Sequence, residues 1–200
     1  MKTVELEKQI FYLPESWDEV TVKQFMDLRN LDSSDIIHFY SIMLQAPYNL
    51  IFGAKPEQLE QHIMPLLKWY FDEDYDLTKL PVPKHLTIYD REEIDKVTCE
   101  IKVPNIKMES FGQKLHFDEI MKKNDEDPIL KMPEVMGVYF YSKVNESTYN
   151  DEKLENFIQD VIMRCRIAEI FPIANFFFRS IKKSLLKKSP FLNLATRAMN

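Results

Sequence analysis

Two hundred residues, 45% apolar, 12% aromatic and 29% charged, make a globular composition rather than a disordered one. The net charge of −6 divides unevenly: residues 1–178 carry 20 bases against 32 acids, a net −12, and residues 179–200 carry six bases and no acid. With only Gly53, Gly112 and Gly137 available, neither Gly-rich phosphate loop can be written, and Cys99 and Cys165 lie too far apart for a CxxC site.

In chain order, residues 3–13 alternate apolar and polar side chains and predict one or two short strands, closed by Pro14. Ser16-x-x-Glu19 and Thr21-x-x-Gln24 both have capping-box spacing, which predicts a short turn at Trp17 and a helix over Val22–Arg29. Trp17 reads as the anchor of this N-terminal block. A second helix follows Asp32-Ser33-Ser34, with an apolar stripe of Ile36, Tyr40, Met43 and Leu44, and Pro47 ends it. A third starts at Pro56 and bends at Pro65, with Leu59, Ile63, Leu66, Leu67 and Tyr70 on one face.

The pattern then changes. Residues 72–76 form an acidic turn, Leu86 and Ile88 alternate with polar residues, and Val97, Cys99, Ile101 and Val103 alternate more cleanly still. A strand over 97–103 buries those four side chains. Beyond it the chain is helical. Ser110-x-x-Gln113 opens a helix to about residue 123, residues 124–128 turn, and 133–141 is apolar nearly all round, as in a fully buried helix. Asn150 caps one long helix on which Leu154, Phe157, Ile158, Val161, Ile162 and Cys165 share a face. Pro172 starts a last helix carrying Ile173, Phe176, Phe177, Ile181 and Leu185. The expected fold is α+β and predominantly α-helical, with helical blocks at 1–71 and 109–200 flanking a small antiparallel β insert at 72–108, in one compact unit.

Few residues suggest chemistry. Asp72-x-Asp74-x-Asp76 starts like a calcium loop, but Leu77 stands where Gly is required and Pro83 where Glu is required, so it reads as a solvated acidic turn. Asn145-Glu146-Ser147 fits a glycosylation triplet, without a secretory signal beside it. The four histidines, His38, His62, His85 and His116, fall singly, and His38 and His62 read as satisfied core or boundary residues. Both cysteines read as buried free thiols of a reducing compartment. No catalytic, cofactor or metal residue is predicted. The longest apolar run, 170–178, is far short of the roughly 20 residues that cross a bilayer, so a soluble chain made in a cytoplasm is expected.

The remaining feature is the basic end. Arg179, Lys182, Lys183, Lys187 and Lys188 precede Phe191, Leu192 and Leu194, which lie beyond the helix-ending Ser189-Pro190. One reading is a solvated face whose cations complement a helix C-terminus. The other is a contact with an acidic protein surface, or less favourably with nucleic acid, since no aromatic residues interleave the lysines. The apolar tail either folds back on the core or inserts into a neighbouring subunit.

Two stretches carry a family resemblance. Leu13-Pro14-x-x-Trp17-x-Glu19-Val20-Thr21-x-x-Gln24-Phe25 resembles the opening of small proteins encoded in the tail and neck gene clusters of tailed bacteriophages. Val138-Tyr139-Phe140, Tyr149-Asn150-Asp151-Glu152 and Phe171-Pro172-x-Ala174-Asn175-Phe176-Phe177-Phe178 are similar to the later part of such proteins. The resemblance implies a morphogenesis protein: a non-enzymatic virion subunit of the neck, tail or head–tail connector, or a tail assembly chaperone absent from the finished particle. Its partners would be other phage structural proteins and copies of itself in a ring, with no membrane and no cofactor. An acidic body with a basic, apolar tail suits a head-to-tail contact, which closes into a ring if the rotation allows.

Overall fold

The computed structural model describes residues 1–72, 75–89, 96–100, 110–122, 127–145 and 148–188. Its architecture is α+β and predominantly helical. The first two strands, β1 (Lys2–Leu6) and β2 (Gln9–Leu13), pair antiparallel with Leu6 opposite Gln9, so the connection is two residues. Both turn residues, Glu7 and Lys8, have positive φ, at 50° and 64°. Such a turn matches the right-handed twist of the strands. Period-two alternation buries Leu6 and Leu13 completely and leaves Ile10 and Tyr12 on the outer face, 68% and 51% exposed.

A 3₁₀ turn at Trp17–Glu19 leads into α1 (Val22–Arg29), as the spacing predicts. The two boxes fare differently. At α1, Thr21 Oγ1 accepts from the Gln24 amide at 3.2 Å, and the Gln24 side chain accepts from the Thr21 amide at 3.0 Å. Ser16 makes no side-chain cap; its Glu19 carboxylate instead accepts from the Glu15 amide and pairs with the Met1 ammonium. Next come α2 (Ile36–Leu44) and the short α3 (Tyr48–Gly53), which the sequence reading missed. The stripe on α2 is Phe39, Tyr40, Met43 and Leu44; Ile36, expected within it, is 44% exposed. From Pro56 the chain makes one α turn (α4, Pro56–Gln58), a π turn over Leu59–Ile63, a 3₁₀ turn over Met64–Leu67 and α5 (Lys68–Asp72). The irregularity surrounds Pro65, which lacks the N–H that a regular helix needs.

The β insert is the antiparallel pair β3 (His85–Tyr89) and β4 (Lys96–Glu100), which places Leu86 opposite Cys99 and Ile88 opposite Val97. Leu86 is fully buried. The expected burial of Val97 and Cys99, and the strand's continuation through Ile101 and Val103, lie outside what is described. The C-terminal block holds α6 (Phe111–Lys122), α7 (Met132–Asn145), α8 (Leu154–Asp160) and α9 (Ile167–Lys188). On α7, every residue from 135 to 141 is buried, as the all-round apolar pattern requires.

Two expectations are corrected here. The apolar repeat from Leu154 to Cys165 is not one helix: α8 stops at Asp160, and a 3₁₀ turn covers Ile162–Arg164. The cause is tertiary. Cys165 is extended so that its carbonyl can accept from the Val22 amide at 2.8 Å, while the Ile167 amide donates to Val20 O at 2.8 Å. The apolar positions still reach the core, Val161 half-buried against it and the others buried. Nor does Pro172 start the last helix. It lies inside α9, five residues past the start.

Buried side chains form two clusters. One gathers β1, β2, α2, α3 and residues 59–67, and the other gathers Val20, Val22, Met26, Leu86 and helices α6 to α9. Helix α1 serves both, giving Met26 to one and Leu28 to the other, and Trp69 packs against both.

Candidate functional site

The basic end belongs to α9. The helix enters the core through the backbone bridge at Thr21 and Arg166. Its first amides find acceptors there, those of Glu169 and Ile170 donating to Arg166 O. Ile167, Ile170, Ile173, Ala174 and Phe177 then fall on one side at helical spacing and are all at most 2% exposed. Phe177 meets the Tyr139 ring edge-on, 4.5 Å between centroids. Pro172 is buried, and its missing N–H removes one bond from the second turn without ending the helix. A helix of 22 residues is about 33 Å long, so Lys188 lies about 16 Å along the axis from Phe177.

Of the predicted interface residues, Arg179 is exposed on α9. Lys182, Lys183, Lys187 and Lys188 share that helix, within its last two turns. Helical spacing sets positions 179, 182 and 183 on the side away from the line that runs through 170, 173 and 177. Phe191, Leu192 and Leu194 lie outside the described residues. The structure thus brings the five cations onto one rigid element whose other end is fixed in the core.

The other candidates resolve locally. Asp76 caps the 3₁₀ turn Leu77–Lys79, accepting from the Thr78 amide at 3.0 Å and pairing with Lys79 at 3.1 Å; hydrogen bonds from Thr78 hold its carboxyl below the usual range. His38 and His62 are surface residues, not core ones. His38 lies tilted against the Tyr48 ring at 4.5 Å and sits 2.5 Å from the Asp35 carboxylate, whose pKa is lowered by hydrogen bonds from the His38 amide and ring. His116 Nδ1 is 2.6 Å from the Tyr149 hydroxyl. Burial, helped by Asp151, pushes the Tyr149 phenol up to about 12. Cys165 is buried and donates to Val161 O at 3.3 Å, as an inert thiol should. Among the described residues no cluster of three metal-binding side chains occurs, and no helix is long and apolar enough to cross a membrane.

Sequence reasoning missed an aromatic joint. The Trp17 ring lies parallel to Tyr75 at 5.8 Å, edge-on to Trp69 at 5.6 Å and tilted on Tyr70 at 5.2 Å. Tyr75 donates to Asp18 at 2.5 Å, and Trp69 donates to Pro14 O at 3.2 Å. Trp17 therefore ties 69–75 to the C-terminal core instead of anchoring the N-terminal block alone. The only hint in the sequence is the run Trp69-Tyr70-Phe71. Also missed are Tyr48 and Phe52 on α3, 42% and 69% exposed with their rings stacked at 6.0 Å. Comparison with protein-family models, with curated proteins and with solved structures finds no match to this chain.

Proposed function

We propose that this chain is a non-enzymatic structural subunit of a tailed-bacteriophage particle, in the neck, tail or head–tail connector region, made in the bacterial host cytoplasm and carried in the virion. It works through protein–protein contacts with other structural proteins and with copies of itself in a ring. The observation that carries this reading is α9, one continuous helix with five of the tail's six cations in its last ten residues, on a chain whose first 178 residues are net −12. Charge of this kind steers approach and sets orientation, and salt weakens it. The apolar residues beyond, buried in a neighbour at roughly 25 cal/mol per Å², supply most of the hold. A contact between a basic arm and a different, acidic surface is heterologous, the kind that builds rings.

Deleting 189–200 should leave the melting temperature nearly unchanged and abolish assembly. Changing Lys182, Lys183, Lys187 and Lys188 to Gln should slow assembly, most at low salt. Unfolding on truncation at 188 would put the tail in the subunit's own core and end the arm reading, as would normal entry of the truncated chain into particles. The assembly-chaperone reading draws on the exposed Ile10, Phe52, Phe111 and Leu115, which suit transient cover for an apolar partner. Mass spectrometry of purified particles separates the two, because a chaperone is absent from them. Salt-dependent DNA binding by the full chain would favour nucleic acid as the tail's partner instead.

A further inference from the structure

We propose that the groove between the β1–β2 turn and α3 receives residues 189–200 of a second copy of this chain; the inference rests on the assembly role proposed above. The groove is a shallow, open depression of about 450 Å³ lined by Glu7, Gln9, Pro47, Asn49, Leu50 and Gly53. It is open at Gly53, where a Cβ would meet nothing within 4 Å. On the same short helix Tyr48 and Phe52 stack on each other and stand out into solvent. Exposed apolar rings of this size, on the helix that also lines the depression, mark an interaction surface. The other exposed apolar pairs, Ile10 with Tyr12 and Phe111 with Leu115, each sit on a single strand or helix.

The occupant is chosen by chemistry and length. The last 12 residues hold Phe191, Leu192, Leu194, Ala195 and Met199, with Arg197 as their one charge. They follow directly on the cations of α9 and can reach about 40 Å if extended. The groove offers Pro47 and Leu50 to the apolar residues and the exposed carboxylate of Glu7 to a cation. Seating the segment in a second copy joins two different surfaces of one molecule, so each copy both gives and receives.

The test uses the full chain. A photo-crosslinking benzophenone amino acid is placed at Phe52, and unlabelled and ¹⁵N-labelled chains are mixed before irradiation. Crosslinks from one chain to residues 189–200 of another are expected. Crosslinks within one chain, or to any other segment, overturn the inference. Separately, Phe52→Glu should weaken self-association at least tenfold in sedimentation velocity, while Ile10→Glu, equally exposed, changes it less than twofold. Association unchanged in Phe52→Glu but lost in the Lys→Gln variant overturns the groove and leaves the arm standing. A full chain that neither self-associates nor enters particles overturns the assembly role, and the groove with it. Were Phe52→Glu to unfold, the crosslink alone decides.

Discussion

Gly137 sits in the middle of α7, where glycine is less favourable than alanine by about 1 kcal/mol. Its retention has a packing reason: a Cβ there would lie 2.4 Å from Ile158 Cγ1 and 3.0 Å from its Cδ1. Gly137→Ala should therefore destabilise by about 1–3 kcal/mol despite the better propensity. Adding Ile158→Ala should recover part of the loss, and additive effects in urea melts would count against the close approach of α7 and α8. Lys8 is the opposite case. It holds a positive φ that costs a side-chain-bearing residue about 1–2 kcal/mol. Lys8→Gly should raise stability by about 1 kcal/mol; a loss instead would mean that the lysine side chain contributes more than its backbone costs. Trp17 buries its indole N–H without a partner. Trp17→Ala should cost about 3 kcal/mol through the lost ring contacts, whereas Trp17→Phe removes the orphan donor and should cost much less.

At the scale of elements, the capping box at α1 and the one at α6, where the Ser110 amide donates to Gln113 Oε1 at 3.1 Å and the Gln113 amide to Ser110 Oγ at 3.2 Å, share a second use. Gln24, 1% exposed, closes the box at α1 and also donates from Nε2 to Ile42 O at 3.2 Å and Met43 O at 3.0 Å, two carbonyls in the last turn of α2. Ile42 O also accepts from the Gln45 amide at 3.1 Å, whereas Met43 O is among the last carbonyls that a helix leaves to partners outside it. Gln113 at α6 likewise donates to a neighbouring helix, here to the mid-helix Val138 O on α7 at 2.9 Å. Each glutamine thus starts one helix and pins it to another. Gln24→Ala should cost about 2–4 kcal/mol, more than the ~1 kcal/mol of an ordinary cap, because the Met43 carbonyl is stranded as well. A loss under about 1 kcal/mol would show that water replaces the amide. The break at Val161 has the same character: local periodicity favours a continuous helix, and the backbone bonds to Val20 and Val22 override it.

Across the whole molecule, the two buried clusters are held together by α1 and by the rings around Trp17. The C-terminal cluster also carries a pH-sensitive element. The Tyr149 phenol, raised from 10 to about 12 by burial and nearby Asp151, is favoured neutral in the folded state. Stability from this source is fully present below pH 10 and is lost as pH rises toward 12. In an ultraviolet titration of the native protein, Tyr149→Phe should remove one phenol from the alkaline end of the curve; a curve unchanged there would refute the assignment. What the sequence determined by itself was whatever depends on neighbours within a turn or two. The helix starts at Thr21 and Ser110 follow from a box of four residues, the burial of α7 from its unbroken apolar composition, and the charge split from counting. Only the tertiary structure decided the rest. Whether Leu154 to Cys165 runs as one helix depends on Val20 and Val22, more than 130 residues away in the chain. Whether Trp17 serves one block or joins two depends on Trp69, Tyr70 and Tyr75. Where Gln24 sends its amide depends on the end of α2. In each case the partner lies far off in sequence, and the interaction that settles the conformation exists only once the chain has closed on itself.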